Sequence, residues 1–129
     1  MQVAKDLVAA SASPIVLAIL AGGESYGYAI LKRVSDLSGG ELVWTDGMLY
    51  PLLHRLERLG QIEARWGVSE AGRKRRYYRI TEVGRQALAA HWRQWEVVHG
   101  TLRGIVPRLF HEATSVRPLL APRPSTAGA

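Results

Sequence analysis

The sequence has 129 residues, 47% of them hydrophobic, with a formal net charge of +6 and a pI near 10.2. That length suits one domain with a modest core rather than two independent ones. The absence of cysteine excludes disulfides, thiol chemistry and cysteine-ligated zinc, while the surplus of Lys and Arg suits a polyanionic partner.

The longest apolar run, Ile15 to Ala21, is far shorter than the ~20 residues of a membrane-spanning helix. Asp6 stands where a secretory leader carries basic residues. A soluble, cytoplasmic protein is expected.

Residues 1–12 read as an N-terminal arm or short helix with no strong cap. Ser13-Pro14 has the form of a helix start, Ser as N-cap and Pro at the first helical position. The segment Pro14 to Ala21 is nearly all apolar and is predicted to be a buried helix ended by Gly22-Gly23. A second helix is expected from about Tyr26, with Ile30, Val34 and Leu37 on one face and Lys32, Arg33 and Asp36 on the other. Gly39-Gly40 stops it.

A third helix is predicted to start between Thr45 and Met48 and to end at Gly60. Leu49, Leu52, Leu53, Leu56 and Leu59 recur on it at helical spacing. Thr45 suits an N-cap, but Pro51 lies beyond the first turn, which predicts a later start or an irregular first turn. The other face carries Tyr50, His54, Arg55 and Arg58, groups that suit phosphates and base edges. Next, Ile62 to Trp66 and Arg75 to Ile80 alternate as strands around a loop rich in Gly, Ser and Arg. Either Tyr78 and Ile80 or Tyr77 and Arg79 face the core. Arg73, Lys74, Arg75, Arg76 and Arg79 crowd this hairpin. A polar-faced helix followed by a basic hairpin is the order of a winged helix-turn-helix.

From Glu82, residues Leu88, Trp92, Trp95, Val98, Leu102 and Ile105 advance by threes and fours. They predict a helix over 82–105, ~24 residues and ~36 Å long. The head cannot cover so long an apolar stripe, so a second copy of the same helix is expected to do so in a two-fold dimer. Four prolines follow Val106, and the tail is expected to be largely disordered. The expected fold is mainly α with a small β-hairpin wing. It comprises the arm 1–12, a winged helix-turn-helix over 13–81, a dimerisation helix over 82–105 and a tail over 106–129.

Three blocks carry a resemblance: YGYAILKRV (Tyr26 to Val34), GMLYPLLHRLERLGQIEARW (Gly47 to Trp66) and GRKRRYYRITEVGRQAL (Gly72 to Leu88). In this order they resemble the PadR-like family of bacterial transcriptional regulators, over about residues 14 to 100. The resemblance implies a winged helix-turn-helix that binds operator DNA as a dimer through a C-terminal helix. It usually implies a repressor released by a small ligand, here of the compact branch with one C-terminal helix. The arm and the Ala- and Pro-rich tail lie outside that pattern.

The third helix is accordingly expected in the major groove, with Thr45, Met48, Tyr50, His54 and Arg55 near DNA. Tyr50 has the alternative of packing on the second helix. Ser25, Tyr26 and Tyr28 are expected to hold a phosphate at the start of that helix, with the core as an alternative for Tyr28. Arg73, Lys74, Arg75 and Arg76 are expected at the wing tip, on phosphates or in the minor groove.

Leu88, Trp92, Trp95, Val98 and Leu102 have two readings. One is a plain dimer core. The other is a cavity between subunits that takes a flat aromatic effector, in which the resemblance points to Trp95. His54, His91, His99 and His111 are scattered, with no metal-binding spacing. No cofactor, metal or catalytic constellation is expected, so the chain is not read as an enzyme. Two rivals share part of the pattern: a sequence-blind nucleic-acid-binding protein, and a winged-helix protein-interaction adaptor. The compact wing charge argues against the adaptor, and the tryptophan-bearing helix against the sequence-blind binder.

Overall fold

The structure, a computed structural model, describes residues 2–114. Its elements are α1 (Lys5–Ala21), β1 (Ser25–Tyr26), α2 (Gly27–Leu37), α3 (Asp46–Arg58), β2 (Ile62–Val68), β3 (Lys74–Ile80) and α4 (Glu82–Thr114). Residues up to His91 form one compact unit, and a second begins at Trp92.

In the first unit, one apolar face from each of three helices meets the sheet. Val16, Leu17 and Leu20 come from α1, Ile30 and Val34 from α2, and Leu49, Leu52, Leu53 and Leu56 from α3. Ile62 and Tyr78 close the core from the sheet, and Trp44 does so from the loop before α3. Each fully buried Leu here contributes roughly 1.5–3 kcal/mol by leaving water.

The first helix corrects an expectation. It does not begin at Ser13-Pro14: it runs unbroken from Lys5, with Pro14 inside it. Proline removes one i→i−4 bond, here that of the Ala10 carbonyl, and Ala10 is exposed, where water can replace the partner. The apolar segment after Pro14 is buried on one face only, since Ala18 is exposed.

The sheet is antiparallel, in the order β1-β3-β2. Sequence patterning did not resolve β1. Two residues show no alternation, and Ser25 and Tyr26 are a strand because they pair with Tyr78 and Tyr77. On β3, Tyr78 and Ile80 turn toward the core.

Entry into α4 explains the run Tyr-Arg-Ile-Thr-Glu-Val-Gly. The Thr81 hydroxyl donates to the Gly60 carbonyl at 2.6 Å and accepts from the Gly84 N–H at 3.1 Å. A Cβ on Gly84 would overlap the Gln61 carbonyl, so only glycine permits this approach. The helix then passes the expected end near Ile105 and reaches Thr114 through Pro107. One lost hydrogen bond at an exposed site does not stop a helix whose apolar spacing continues through Ile105 and Leu109. Of the expected tail, the part from residue 115 onward lies outside the described residues.

Candidate nucleic-acid interface

Helix α3 begins at its expected cap: the Thr45 hydroxyl accepts from the Met48 N–H at 3.3 Å. Asp46 in the first turn and Arg55 and Arg58 in the last both complement the helix dipole. The first turn needs no later start. Pro51 deprives only the Gly47 carbonyl of a partner, and Gly47 is exposed.

With its leucines buried, α3 exposes Gly47, Tyr50, Pro51, His54, Arg55 and Arg58, a stripe at steps of three and four. Met48, expected beside DNA, is instead half-buried and packed against the core. Tyr50 takes the alternative offered to it: a Cβ on Gly27, the first residue of α2, would overlap the Tyr50 hydroxyl. Its ring nevertheless remains 38% exposed. Arg55 donates to the Ser13 hydroxyl at 3.2 Å, which steers its guanidinium toward α1.

The three residues expected at a phosphate at the start of α2 differ in their surroundings. Ser25 and Tyr26 are half-buried in β1, and the Tyr26 side chain makes no cap bond to α2. Its ring meets the edge of Tyr77 at 5.7 Å and lies under the Arg75 guanidinium at 3.8 Å. Tyr28 is not core; it is 68% exposed.

The wing corrects the expectation of four cations in one turn. The tip is Ser69 to Arg73, closed by Ser69 N–H to the Arg73 carbonyl at 2.9 Å and Arg73 N–H to the Ser69 hydroxyl at 3.2 Å. Gly72 takes φ +83° there, which favours glycine. Lys74, Arg75 and Arg76 already belong to β3, and alternate strand residues point to opposite faces. Arg75 stacks on Tyr26. Arg76 turns to the other face, where it pairs with Glu57 of α3 at 3.1 Å and lies 5.4 Å from the Trp66 ring centroid. Arg73 and Lys74 are exposed and have no acidic partner among the described residues.

Two further arginines on the sheet also have partners. Arg65 makes two hydrogen bonds to the Glu24 carboxylate, at 2.8 and 2.7 Å, while its guanidinium lies 4.7 Å from the Tyr77 centroid. The Arg65 hydrogen bonds hold the Glu24 carboxyl below the usual carboxylate range. Arg79 bonds Glu63 at 2.8 Å. Sequence reading overlooked Arg65, and no local signal marks it, since Glu24 is 41 residues away.

The expected dimer or effector set divides. Leu88 packs against the core of the first unit. In the second, Trp92 is 62% exposed and Val98, Leu102, Ile105 and Leu109 are about half exposed, while Trp95 is half-buried. Among the described residues no group of His, Asp and Glu could hold a metal ion. None of their helices is long and apolar enough to cross a membrane.

Comparisons with known proteins agree with this geometry. Residues 16–90 match the model of the Transcriptional regulator PadR-like family. Uncharacterized protein X of Lysinibacillus sphaericus is 31% identical over 96 residues, which cover 74% of this chain and 88% of that protein. The Transcriptional regulator YqjI of Escherichia coli is 29% identical over 69% of this chain, a match that spans only 41% of YqjI. Among solved structures, a transcriptional regulator from Clostridium thermocellum superimposes with TM-score 0.72 at 30% identity, over 79% of this chain and 99% of that one. A PadR-like transcriptional regulator from Bacillus cereus gives TM-score 0.70 at 26% identity, over 79% and 97%.

Proposed function

The chain belongs to the PadR-like family of transcriptional regulators, and on that premise we propose that it is a cytoplasmic, homodimeric repressor released by a small planar aromatic effector. The observation that carries the DNA-binding half is the exposed stripe of α3, with His54, Arg55 and Arg58, in one unit with a wing that presents Arg73 and Lys74. A helix fits the major groove, while basic groups at a wing tip meet phosphates. In this reading Thr45, Tyr50, His54 and Arg55 lie nearest the bases. Ser25, Tyr26, Tyr28 and Arg75 border the same face of the duplex. Met48 anchors the first turn of α3 on the core.

Two copies joined through α4 would address half-sites ~34 Å apart, so the operator is a near-palindrome. The exposed Trp92, Val98, Leu102, Ile105 and Leu109 favour that pairing, because a half-exposed apolar stripe of this length is stabilised by a second surface. A planar effector would stack on Trp92 and Trp95 between the subunits and alter the separation of the heads.

The test is fluorescence anisotropy at graded salt, with DNA from upstream of the chain's own gene against a shuffled control. Preference for the native fragment at physiological salt is expected. Equal binding to both fragments that vanishes with salt, followed by a random-sequence selection that yields no consensus, would reject a sequence-specific regulator. Tryptophan fluorescence that ignores every planar aromatic tested would reject the effector.

A further inference from the structure

The basic run of the wing contains one arginine whose surroundings differ from those of its neighbours. Arg76 lies on the face of β3 that also carries Tyr78 and Ile80. Its Nη2 reaches the Glu57 carboxylate on α3 at 3.1 Å, and both side chains are only about one third exposed. Trp66, its direct partner in the β2–β3 register, lies under the guanidinium. The Arg76 Nε is buried and has no partner among the described residues. A guanidinium held by Glu57 on one side and by Trp66 on another is turned away from the exposed end of the run.

Glu57 occupies a particular place on α3. It is half-buried and sits one residue after Leu56, which is anchored in the core, and one before the exposed Arg58. The Glu57–Arg76 contact therefore joins α3, the proposed recognition helix, directly to the wing strand β3, between residues 19 apart in sequence. Arg73 and Lys74, at the other end of the same run, have no such tie.

We propose that Arg76, through Glu57 and its stack on Trp66, is a positioning residue that sets the wing relative to the recognition helix and so shapes operator choice without touching DNA. A specific complex needs α3 and the wing to meet the duplex together. A wing free to swing would still attract phosphates but would lose the fixed spacing that separates the right site from a wrong one. The proposal rests on the DNA-binding reading above for its consequence but not for the tie itself.

The test has two arms. The first uses no DNA: hydrogen exchange of the β2 and β3 amides in the free full-length protein. Arg76→Ala and the isosteric Glu57→Gln are both expected to speed exchange at residues 66–74 on the order of fivefold, as for a partly exposed ion pair and a cation–π contact. Exchange at Leu52 to Leu56 stays unchanged. Unaltered wing exchange in both variants overturns the proposal, whether or not the protein binds DNA.

The second arm measures affinity for the operator selected by the wild type and for shuffled DNA at several salt concentrations. Arg76→Ala is expected to lower the ratio of the two affinities about tenfold, comparable to one mismatched base pair, with the salt slope unchanged. The double swap Glu57→Arg with Arg76→Glu should recover part of that ratio. A slope that falls by about one unit on Arg76→Ala would mean a phosphate contact and overturn the proposal. A wild type that binds no DNA defeats the DNA-binding reading and leaves the first arm to decide the tie.

Discussion

Helix α3 and the far part of α4 read alike in sequence, since both place large apolar residues at steps of three and four. In the structure they differ sharply. Leu49, Leu52, Leu53 and Leu56 of α3 are at most 5% exposed, whereas Val98, Leu102, Ile105 and Leu109 of α4 are 50–55% exposed. The same pattern is satisfied in the first case by α1, α2 and the sheet, and in the second by nothing among the described residues. Amphipathic periodicity thus specifies a face to be covered, not what covers it. The pairing of two α4 helices proposed above would supply the cover, and the contrast can be tested from both sides.

The largest effect should come from the covered face. Leu53→Ala leaves a void at a fully buried site and is expected to cost ~2–5 kcal/mol in urea unfolding. A loss below ~1 kcal/mol would mean that the core around α3 is looser than its burial indicates. Leu102→Ala should act on association instead. Its dissociation constant is expected to rise roughly ten- to hundredfold in sedimentation equilibrium, for ~1.5–3 kcal/mol of lost burial. If Leu102→Ala left association unchanged, the stripe on α4 would need another occupant.

Smaller effects sharpen the description of the interface. Thr45→Ala removes the hydroxyl that caps α3 and should cost ~1 kcal/mol of stability. Arg73→Ala and Lys74→Ala should each lower the slope of log affinity against log salt by about one, with little change in stability.

The smallest effect concerns alkaline pH. Burial pushes the Tyr78 hydroxyl above the usual tyrosine range, with Arg76 acting in the opposite sense. Below the ordinary tyrosine value the hydroxyl is neutral in both states and contributes no pH dependence. As the pH rises past that value the unfolded chain loses the proton first, so stability falls. Tyr78→Phe should flatten that part of the stability curve, and an identical fall in the variant would exclude Tyr78 as its source.

Much of the fold was legible because its signals are local. The Thr45 cap, the glycine stops at Gly39 and Gly40 and the leucine spacing of α3 each follow from a few neighbouring residues. The family resemblance, read from three ordered blocks, agrees with the match over residues 16–90. Proline misled in three places. Pro14 resembled a helix start, Pro51 suggested a later start for α3 and Pro107 lay beyond an expected helix end, yet all three lie inside helices. A proline costs one hydrogen bond, and favourable apolar spacing on either side outweighs it. Strand β1 left no trace in sequence, since two residues form a strand only through their partners on β3.

The site was harder to read, and the run Arg73 to Arg76 shows why. The sequence by itself determined that this chain would fold as a winged helix-turn-helix with a basic hairpin, because helix caps, turn glycines and apolar periods act over a few residues. It also placed the four cations side by side. Only the tertiary structure decided that Arg75 would stack on Tyr26, that Arg76 would bind Glu57 and that Arg65 would bind Glu24. Strand pleating sends adjacent side chains to opposite faces, and each partner comes from a distant segment brought close by packing of the core. Charge is a property of the residue, but its availability to DNA depends on what the fold sets beside it.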